Sequence, residues 1–173
     1  MAESQDVLSE LKLVFDPELD PVIVFEGDGA AGYHTIRIPA LVRTHDNVLL
    51  AFAEARRDSQ ADSGHIELAL RRSRDNGRTW GNMDILVAEE GDVTMGNPCP
   101  FVVRESGEVV LLFTRNNHTA YCMISRDGGA TFSAPEEITE VFRAFDFPMV
   151  RVATGPVHGC RLRSGRLVAP AWI

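Results

Sequence analysis

The chain has 173 residues, of which 45% are hydrophobic and 24% charged, a composition typical of a globular protein rather than a disordered or collagenous one. This length is sufficient for one domain with a sizeable core, at about 150 residues per domain. The formal net charge of -8 argues against a basic, phosphate-binding surface, so no nucleic-acid partner is expected.

Residues 1–20 are polar and acidic and are predicted to form a leader ahead of the folded part, residues 21–173. They lack the basic start and the apolar run of a secretory signal. No stretch of the sequence reaches the 18 or so apolar residues that cross a bilayer, so no membrane span is expected. The three cysteines form no CxxC pair, which predicts neither a disulfide framework nor a zinc site. Together these features favour a cytoplasmic protein.

The rest of the chain consists of short apolar runs rich in Val, Ile, Leu and Phe, separated by Gly, Asn, Asp and Ser. This pattern predicts an all-β fold. The candidate strands lie near residues 22–26, 36–43, 48–54, 66–72, 83–88, 99–104, 108–114, 119–125, 149–153, 158–163 and 166–172.

Two segments of the form S-x-D-x-G-x-T-aromatic repeat at an interval of 52 residues, with their aspartates at Asp75 and Asp127. An Asp side chain can accept backbone N–H bonds, and Gly tolerates a positive φ, so each segment predicts a tight hairpin turn. The closing aromatic residue, Trp80 or Phe132, is expected to pack between neighbouring hairpins. We therefore predict a structural role for both turns.

A second repeat consists of a turn followed by an apolar strand, with turns at Asn47, Gly107 and Gly165, which lie 60 and 58 residues apart. Four-stranded units that recur every 50 to 60 residues indicate the antiparallel blades of a β-propeller. The sequence contains about two and a half such blades, whereas propellers close with about four to eight. The missing blades are expected from the rest of a longer chain or from another chain.

The segment from Tyr33 to Leu41 contains Arg-Ile-Pro. It resembles the (F/Y)RIP motif of the sialidase (neuraminidase) family, and the two repeated turns resemble the Asp boxes of that family. The stretches 53–56, 97–100 and 155–159 are similar to further family segments. The resemblance covers roughly residues 22–173 and implies a six-bladed propeller with its active site on the axis.

The family resemblance also implies a reaction. Its members are retaining exo-α-sialidases that bind the substrate carboxylate with three arginines and use a Tyr nucleophile paired with a Glu, together with an Asp acid/base. Planar guanidinium groups suit carboxylate binding, and a neutral phenol approaches the anomeric carbon next to that carboxylate with less repulsion than a carboxylate would. No metal or organic cofactor is implied, and the expected substrate is a sialylated glycoconjugate.

The resemblance assigns two arginines to substrate binding. Arg37, in the Arg-Ile-Pro motif, matches the first arginine of the triad, with a structural salt bridge as the other interpretation. Arg56, at the end of a predicted strand, matches an arginine on the far side of the substrate. Its neighbour Arg57 remains an alternative for that position.

Asp62 is the predicted acid/base, because the family places its catalytic Asp on the loop that here spans residues 57–65, between the predicted strands 48–54 and 66–72. Asp58 is the alternative acid/base. The structural interpretation of Asp62 is a solvated loop carboxylate. Met95 is predicted either to line the pocket for the N-acyl group or to belong to the core. Glu54 and Glu67 lie on predicted strands and are expected to pair with arginines.

Tyr33 and Tyr121 are the only tyrosines, and neither has the sequence context of the family's nucleophile. The second and third arginines of the triad and the activating glutamate are not recognisable either. We therefore expect this chain alone to be inactive. The alternative function is a non-catalytic Asp-box propeller that binds glycans or proteins, for which Arg37 and Asp62 would be dispensable.

Overall fold

The computed structural model describes residues 21–27, 31–144 and 148–173. Its first sheet is antiparallel, with four strands side by side in chain order. These strands are β1 (Thr35–Arg43), β2 (Leu49–Arg56), β3 (Ile66–Ser73) and β4 (Asp84–Val87). Each connection joins two strands that pair directly, and the shortest of them, between β1 and β2, is a tight turn.

The second sheet repeats the first. It also has four antiparallel strands in chain order. They are β5 (Met95–Val102), β6 (Val109–Arg115), β7 (Thr119–Ser125) and β8 (Glu136–Glu137). A short helix follows, α1 (Thr139–Arg143). Two successive four-stranded sheets confirm the prediction of propeller blades.

A third unit is present in part. It comprises two pairs of two-residue strands, β9 with β12 and β10 with β11. Their bounds are β9 (Ala153–Thr154), β10 (Cys160–Arg161), β11 (Leu167–Val168) and β12 (Ala171–Trp172). Its apolar side chains are largely exposed, as at Leu162, Leu167 and Trp172. The structure is thus an incomplete propeller of two full blades and part of a third.

The main core lies between the first two sheets, and each sheet contributes one face to it. The buried side chains of this core are Ala40, Val48, Leu50, Phe52, Leu68, Leu70, Met95, Val109, Leu111, Phe113 and Met123. The alternation of strand side chains places these residues on the inner face, since successive residues point to opposite sides of a sheet. The opposite face of the first sheet has a smaller cluster around Tyr33, Ala55 and Ala69.

Both repeated turns have the predicted hydrogen bonds. The Asp75 carboxylate accepts bonds from the backbone N–H and hydroxyl of Thr79 at 2.9 and 2.6 Å, and Asp127 accepts the same bonds from Thr131. These bonds stabilise the ionised carboxylates and lower the pKa of each aspartate to about 2. Phe132 packs edge-on against Phe52 of the first blade, as expected for an aromatic residue between hairpins.

The structure corrects several predicted boundaries. Residues 22–26 form no strand, and the strand predicted at 99–104 instead spans Met95–Val102, because it continues through a bulge at Asn97-Pro98. Strand β8 and helix α1 were not predicted, since both are short and polar. The predicted strands at 149–153, 158–163 and 166–172 contract to two-residue pairs. The predicted leader, residues 1–20, lies outside the described residues.

Candidate active site

The candidate active site is a cleft where the first two blades meet the third unit. Its volume is about 330 Å³, at the lower end of the range of small-molecule sites, about 300–1,000 Å³. The side chains around it come from all three units, and most of them are polar. They are Arg37, Ile38, Glu54, Arg56, Asp62, Asn97, Asn117, Arg151, Pro156 and Trp172.

Arg37 reaches the cleft from a bulge in β1. The pairing of β1 with β2 shifts between Arg37 and Ala40, and Ile38 has a φ of 52°. Pro39 has no N–H to donate to the ladder, so the strand is interrupted here, and a bulge of this kind turns a side chain away from the regular alternation. β5 has the same irregularity at Asn97-Pro98, where Asn97 has a φ of 58°.

The Arg37 guanidinium is half exposed and has an open edge. Its Nη1 donates to the Gln60 carbonyl at 3.2 Å and to Asp62 Oδ1 at 3.1 Å. Among the described residues, Nε and Nη2 contact no acceptor. These two groups lie along the same edge of the planar guanidinium and form a pair of parallel donors, which is the geometry that binds a carboxylate with two bonds.

Asp62 lies between two arginines. Its Oδ1 accepts a bond from Arg37 and another from Arg56 Nη1 at 2.8 Å, while 79% of the side chain is exposed. Within the part of the chain that the structure describes, Oδ2 contacts no donor. One carboxylate oxygen therefore anchors the side chain, and the other is available to a ligand in the cleft.

Arg56 is buried beneath this loop. Its Nε and Nη2 donate to Glu54 Oε2 at 3.1 and 2.6 Å, and its Nη1 donates to the carbonyls of Gln60 and Ala61. The side chain is only 2% exposed. The guanidinium therefore holds the loop in place, and contact between Arg56 and the substrate stays a prediction.

Glu54 connects the two blades below the cleft. Its Oε1 accepts the backbone N–H of Asn97 at 2.9 Å, while its Oε2 binds Arg56. The Asn97 side chain donates in turn to Thr114 and Asn117, and the backbone carbonyl of Asn97 accepts a bond from Thr154 of the third unit at 2.7 Å. This chain of buried and part-buried polar contacts ties all three units together at the cleft.

The structure separates the alternatives that the sequence left open. Arg57 points to the opposite face from Arg56 and binds Glu67 there, at 2.9 Å from Nε to Oε1. Asp58 lines a different cavity, away from Arg37 and Asp62. Of each neighbouring pair, Arg56 and Asp62 are thus the residues that line the cleft with Arg37.

Met95 is the one proposed site residue that lies away from the cleft. It is buried in the core between the sheets and lines a separate apolar pocket with Phe113 and Tyr121. The structure therefore gives Met95 the core role, the second of the two predicted roles. Its contact with an N-acyl group stays a prediction.

Arg151 lines the cleft but was not predicted from the sequence. It is exposed and precedes β9, so the cleft contains three arginines, with Arg37 and Arg56, against the carboxylates of Glu54 and Asp62. No motif surrounds Arg151 in the sequence, so no sequence signal points to it.

The two tyrosines lie outside the cleft. Tyr33 is buried on the other face of the first sheet, where its hydroxyl donates to Glu67, and burial together with that bond raises its pKa to about 12. Tyr121 stacks on Phe113, with the ring centroids 5.4 Å apart.

In the described ranges, no cluster of three His, Cys, Asp or Glu residues is arranged to hold a metal ion. None of the described helices is long and apolar enough to cross a membrane.

A family model described as a BNR repeat-like domain matches residues 32–173. The chain belongs to this family. Two curated relatives are an exo-alpha-sialidase of Aspergillus fumigatus, 33% identical over 176 residues, and Sialidase-3 of Homo sapiens, 35% identical over 161 residues. The alignments cover 81% and 80% of this chain, and these matches confirm the predicted membership of the sialidase family.

The fold agrees with solved sialidases. The Hadza microbial sialidase Hz136 superposes with a TM-score of 0.73 at 24% identity, over 83% of this chain and 33% of that protein. This similarity confirms the propeller fold. The chain spans 42% of the length of the fungal relative and 37% of the human one.

Proposed function

We propose that this chain is the N-terminal part of an exo-α-sialidase, a retaining glycoside hydrolase that removes terminal sialic acid from glycoconjugates. The observation that carries the proposal is the position of Arg37 beside Asp62 in one cleft. Cleavage of an acidic glycoside needs a guanidinium that binds the substrate carboxylate and a carboxyl group that exchanges a proton with the glycosidic oxygen.

Each group has a role that its geometry supports. The substrate carboxylate binds the open Nε and Nη2 edge of Arg37, and Arg151 adds positive charge at the rim of the cleft. The acid/base is Asp62, whose exposed oxygen gives a proton to the leaving oxygen as the glycosidic bond breaks. The electron pair of that bond stays with the leaving oxygen.

The nucleophile comes from outside these 173 residues, since Tyr33 and Tyr121 both lie away from the cleft. We further propose that the remaining blades pack against the third unit, either from the rest of the chain or from another chain. The exposed Leu162, Leu167 and Trp172 support this, because apolar side chains on an open sheet edge favour further packing. The cytoplasmic location expected from the sequence also remains a proposal.

Hydrolysis of a sialoside by the intact protein tests the proposed function. We expect Arg37→Ala to lower kcat/KM by about 100-fold or more, in line with loss of a key donor at a charged site. Arg43→Ala is the matched control, because Arg43 is an exposed arginine at the other end of β1. Near-normal kcat/KM for Arg37→Ala would refute the proposal.

The isolated 173-residue chain provides a second check. We expect no turnover from it, because the described residues offer no nucleophile in the cleft. Turnover by this chain alone, at a rate similar to that of the intact protein, would show that our account of the missing nucleophile is wrong.

A further inference from the structure

The loop that carries Asp62, residues 57–65, contributes to two cavities. One is the cleft, and the other, of about 440 Å³, is lined by Arg56, Asp58, His65 and Asp92, among others. Residues 57–63 are exposed. Because these residues are exposed, packing alone does not determine the direction in which Asp62 points, and polar contacts have to do so.

Glu67 contacts both ends of this loop. Its Oε1 accepts a bond from Arg57 Nε at 2.9 Å and lies 3.2 Å from His65 Nε2, while Oε2 accepts a bond from Arg57 Nη2 at 3.1 Å. The backbone closes the same base, since the Arg57 N–H donates to the His65 carbonyl at 3.1 Å. Arg57 opens the loop and His65 closes it, so one carboxylate joins its two ends.

The Glu67 carboxylate is buried, with only 4% of its side chain exposed. Tyr33 donates its hydroxyl to Oε2, and the Arg57 guanidinium lies 4.7 Å above the Tyr33 ring. A buried carboxylate is costly unless it is paired and hydrogen-bonded, and here Arg57, His65 and Tyr33 all contribute. Such a fully bonded cluster forms a rigid base for an otherwise exposed loop.

The contacts on the cleft side hold the middle of the loop rather than its ends. Arg37 binds both Asp62 and the Gln60 carbonyl. Arg56 also donates to Asp62 and to the carbonyls of the loop. Glu67 lies on the opposite face of the sheet, away from the cleft, so its contacts persist when the cleft is occupied.

We propose that Glu67 is a positioning residue that directs Asp62 into the cleft by holding Arg57 and His65 together at the base of the loop. The role of Asp62 in this inference rests on the proposed function, whereas the effect of Glu67 on the loop does not. Glu67 acts through other residues and does not touch the substrate.

Amide hydrogen exchange in the intact protein, followed by mass spectrometry, tests the effect on the loop. We expect Glu67→Gln to speed exchange in residues 57–65 by about 10-fold or more and to leave residues 109–125 of the second blade unchanged. Tyr33→Phe is the matched control, because it removes the bonds of the Tyr33 hydroxyl to Glu67 and Arg57 but leaves Glu67 in contact with both loop ends. Unchanged exchange in residues 57–65 would overturn the inference.

Arg57→Gln provides a second variant in case Glu67→Gln fails to fold. The Arg57 side chain is 39% exposed, and its removal leaves Glu67 bound to His65 and Tyr33. It should also speed exchange in residues 57–65, and the absence of any change would again overturn the inference.

Kinetics with two leaving groups separate positioning from general destabilisation. A sugar leaving group needs a proton from the acid, whereas a nitrophenolate departs without one. We expect Glu67→Gln to lower kcat for a sialyl-sugar substrate by about 10-fold or more and for a nitrophenyl sialoside by less than about 3-fold. Equal losses for both substrates would refute the positioning role. Failure of the wild-type protein to turn over either substrate would refute the proposed function instead, and the exchange result would still stand.

Discussion

Buried charged side chains organise the candidate site at the level of single residues. Glu54 is buried and accepts bonds from Arg56 and from the Asn97 backbone, while Glu67 on the other face accepts bonds from Arg57. Both glutamates pair with arginines, as expected from their positions on predicted strands. The two pairs lie on opposite faces of the first sheet and fix the same loop from two sides.

Removal of the Glu54 carboxylate should destabilise the fold. Glu54→Ala leaves Nε and Nη2 of the buried Arg56 guanidinium without an acceptor, while Nη1 keeps its bond to Asp62, and we expect a loss of about 3 kcal/mol in the free energy of unfolding. Urea denaturation measures this loss. Glu54→Gln retains an acceptor for Asn97 and should lose less.

Glu89→Ala is the matched control for a surface pair, because Glu89 binds Arg115 in an exposed position. Exposed ion pairs contribute little to stability, so this variant should unfold close to wild type. If Glu54→Ala lowered the free energy of unfolding as little as Glu89→Ala does, that result would contradict the structural role of Glu54.

At the level of elements, the two Asp-box turns are the parts that local sequence defines most completely. All their key bonds lie within an eight-residue segment, so the spacing of Ser, Asp, Gly and Thr was sufficient to predict them. The bulges in β1 and β5 differ in this respect. Pro39 and Pro98 indicate an interruption of the ladder, but the direction in which Arg37 emerges depends on its pairing with β2.

The Asp-box turns should make the stability of the folded protein sensitive to acid. The pKa of Asp127 falls from an ordinary 3.8 to about 2 in the folded state, because Thr131 and Ser125 hydrogen-bond its ionised form. A lowered folded-state pKa stabilises the fold above pH 4, and this contribution is lost as the pH falls from about 4 to 2. Asp127→Asn should therefore show a smaller loss of stability across this window than wild type. Urea denaturation at pH 4, 3 and 2 measures the difference, and an equal slope for the two proteins would contradict it.

At the scale of the whole molecule, the turn of one blade packs into its neighbour. A side chain at Gly129, in the second Asp box, would meet Leu50 Cδ1 of the first blade at 2.4 Å. Arg72 of the first blade donates to the Gly129 carbonyl at 2.7 Å. Contacts of this kind join successive blades in a fixed orientation and so place Arg37, Asp62 and Arg151 around one cleft.

Substitution of Gly129 tests this packing between blades. Gly129 and Gly91 both have a positive φ, of 87° and 84°, but nothing lies within 4 Å of a side chain at Gly91. We expect Gly91→Ala to lower the free energy of unfolding by about 1–2 kcal/mol, from backbone strain alone. Gly129→Ala should lose about 1–3 kcal/mol more, because its methyl group overpacks the core at Leu50. Urea unfolding measures both losses, and equal values would show that the blades do not pack tightly at this turn.

The sequence by itself determined the all-β class, the repeated four-stranded units, the Asp-box turns and the motif that contains Arg37. These features depend on alternation and on spacing over a few residues, which are local properties of the chain. Only the tertiary structure decided that Arg56 rather than Arg57 lines the cleft, that Asp62 lies between two arginines, and that Arg151 joins them. It also revealed how Glu67 holds the loop. Those contacts join residues from different strands and blades, and they exist only because core packing fixes the angle between the sheets.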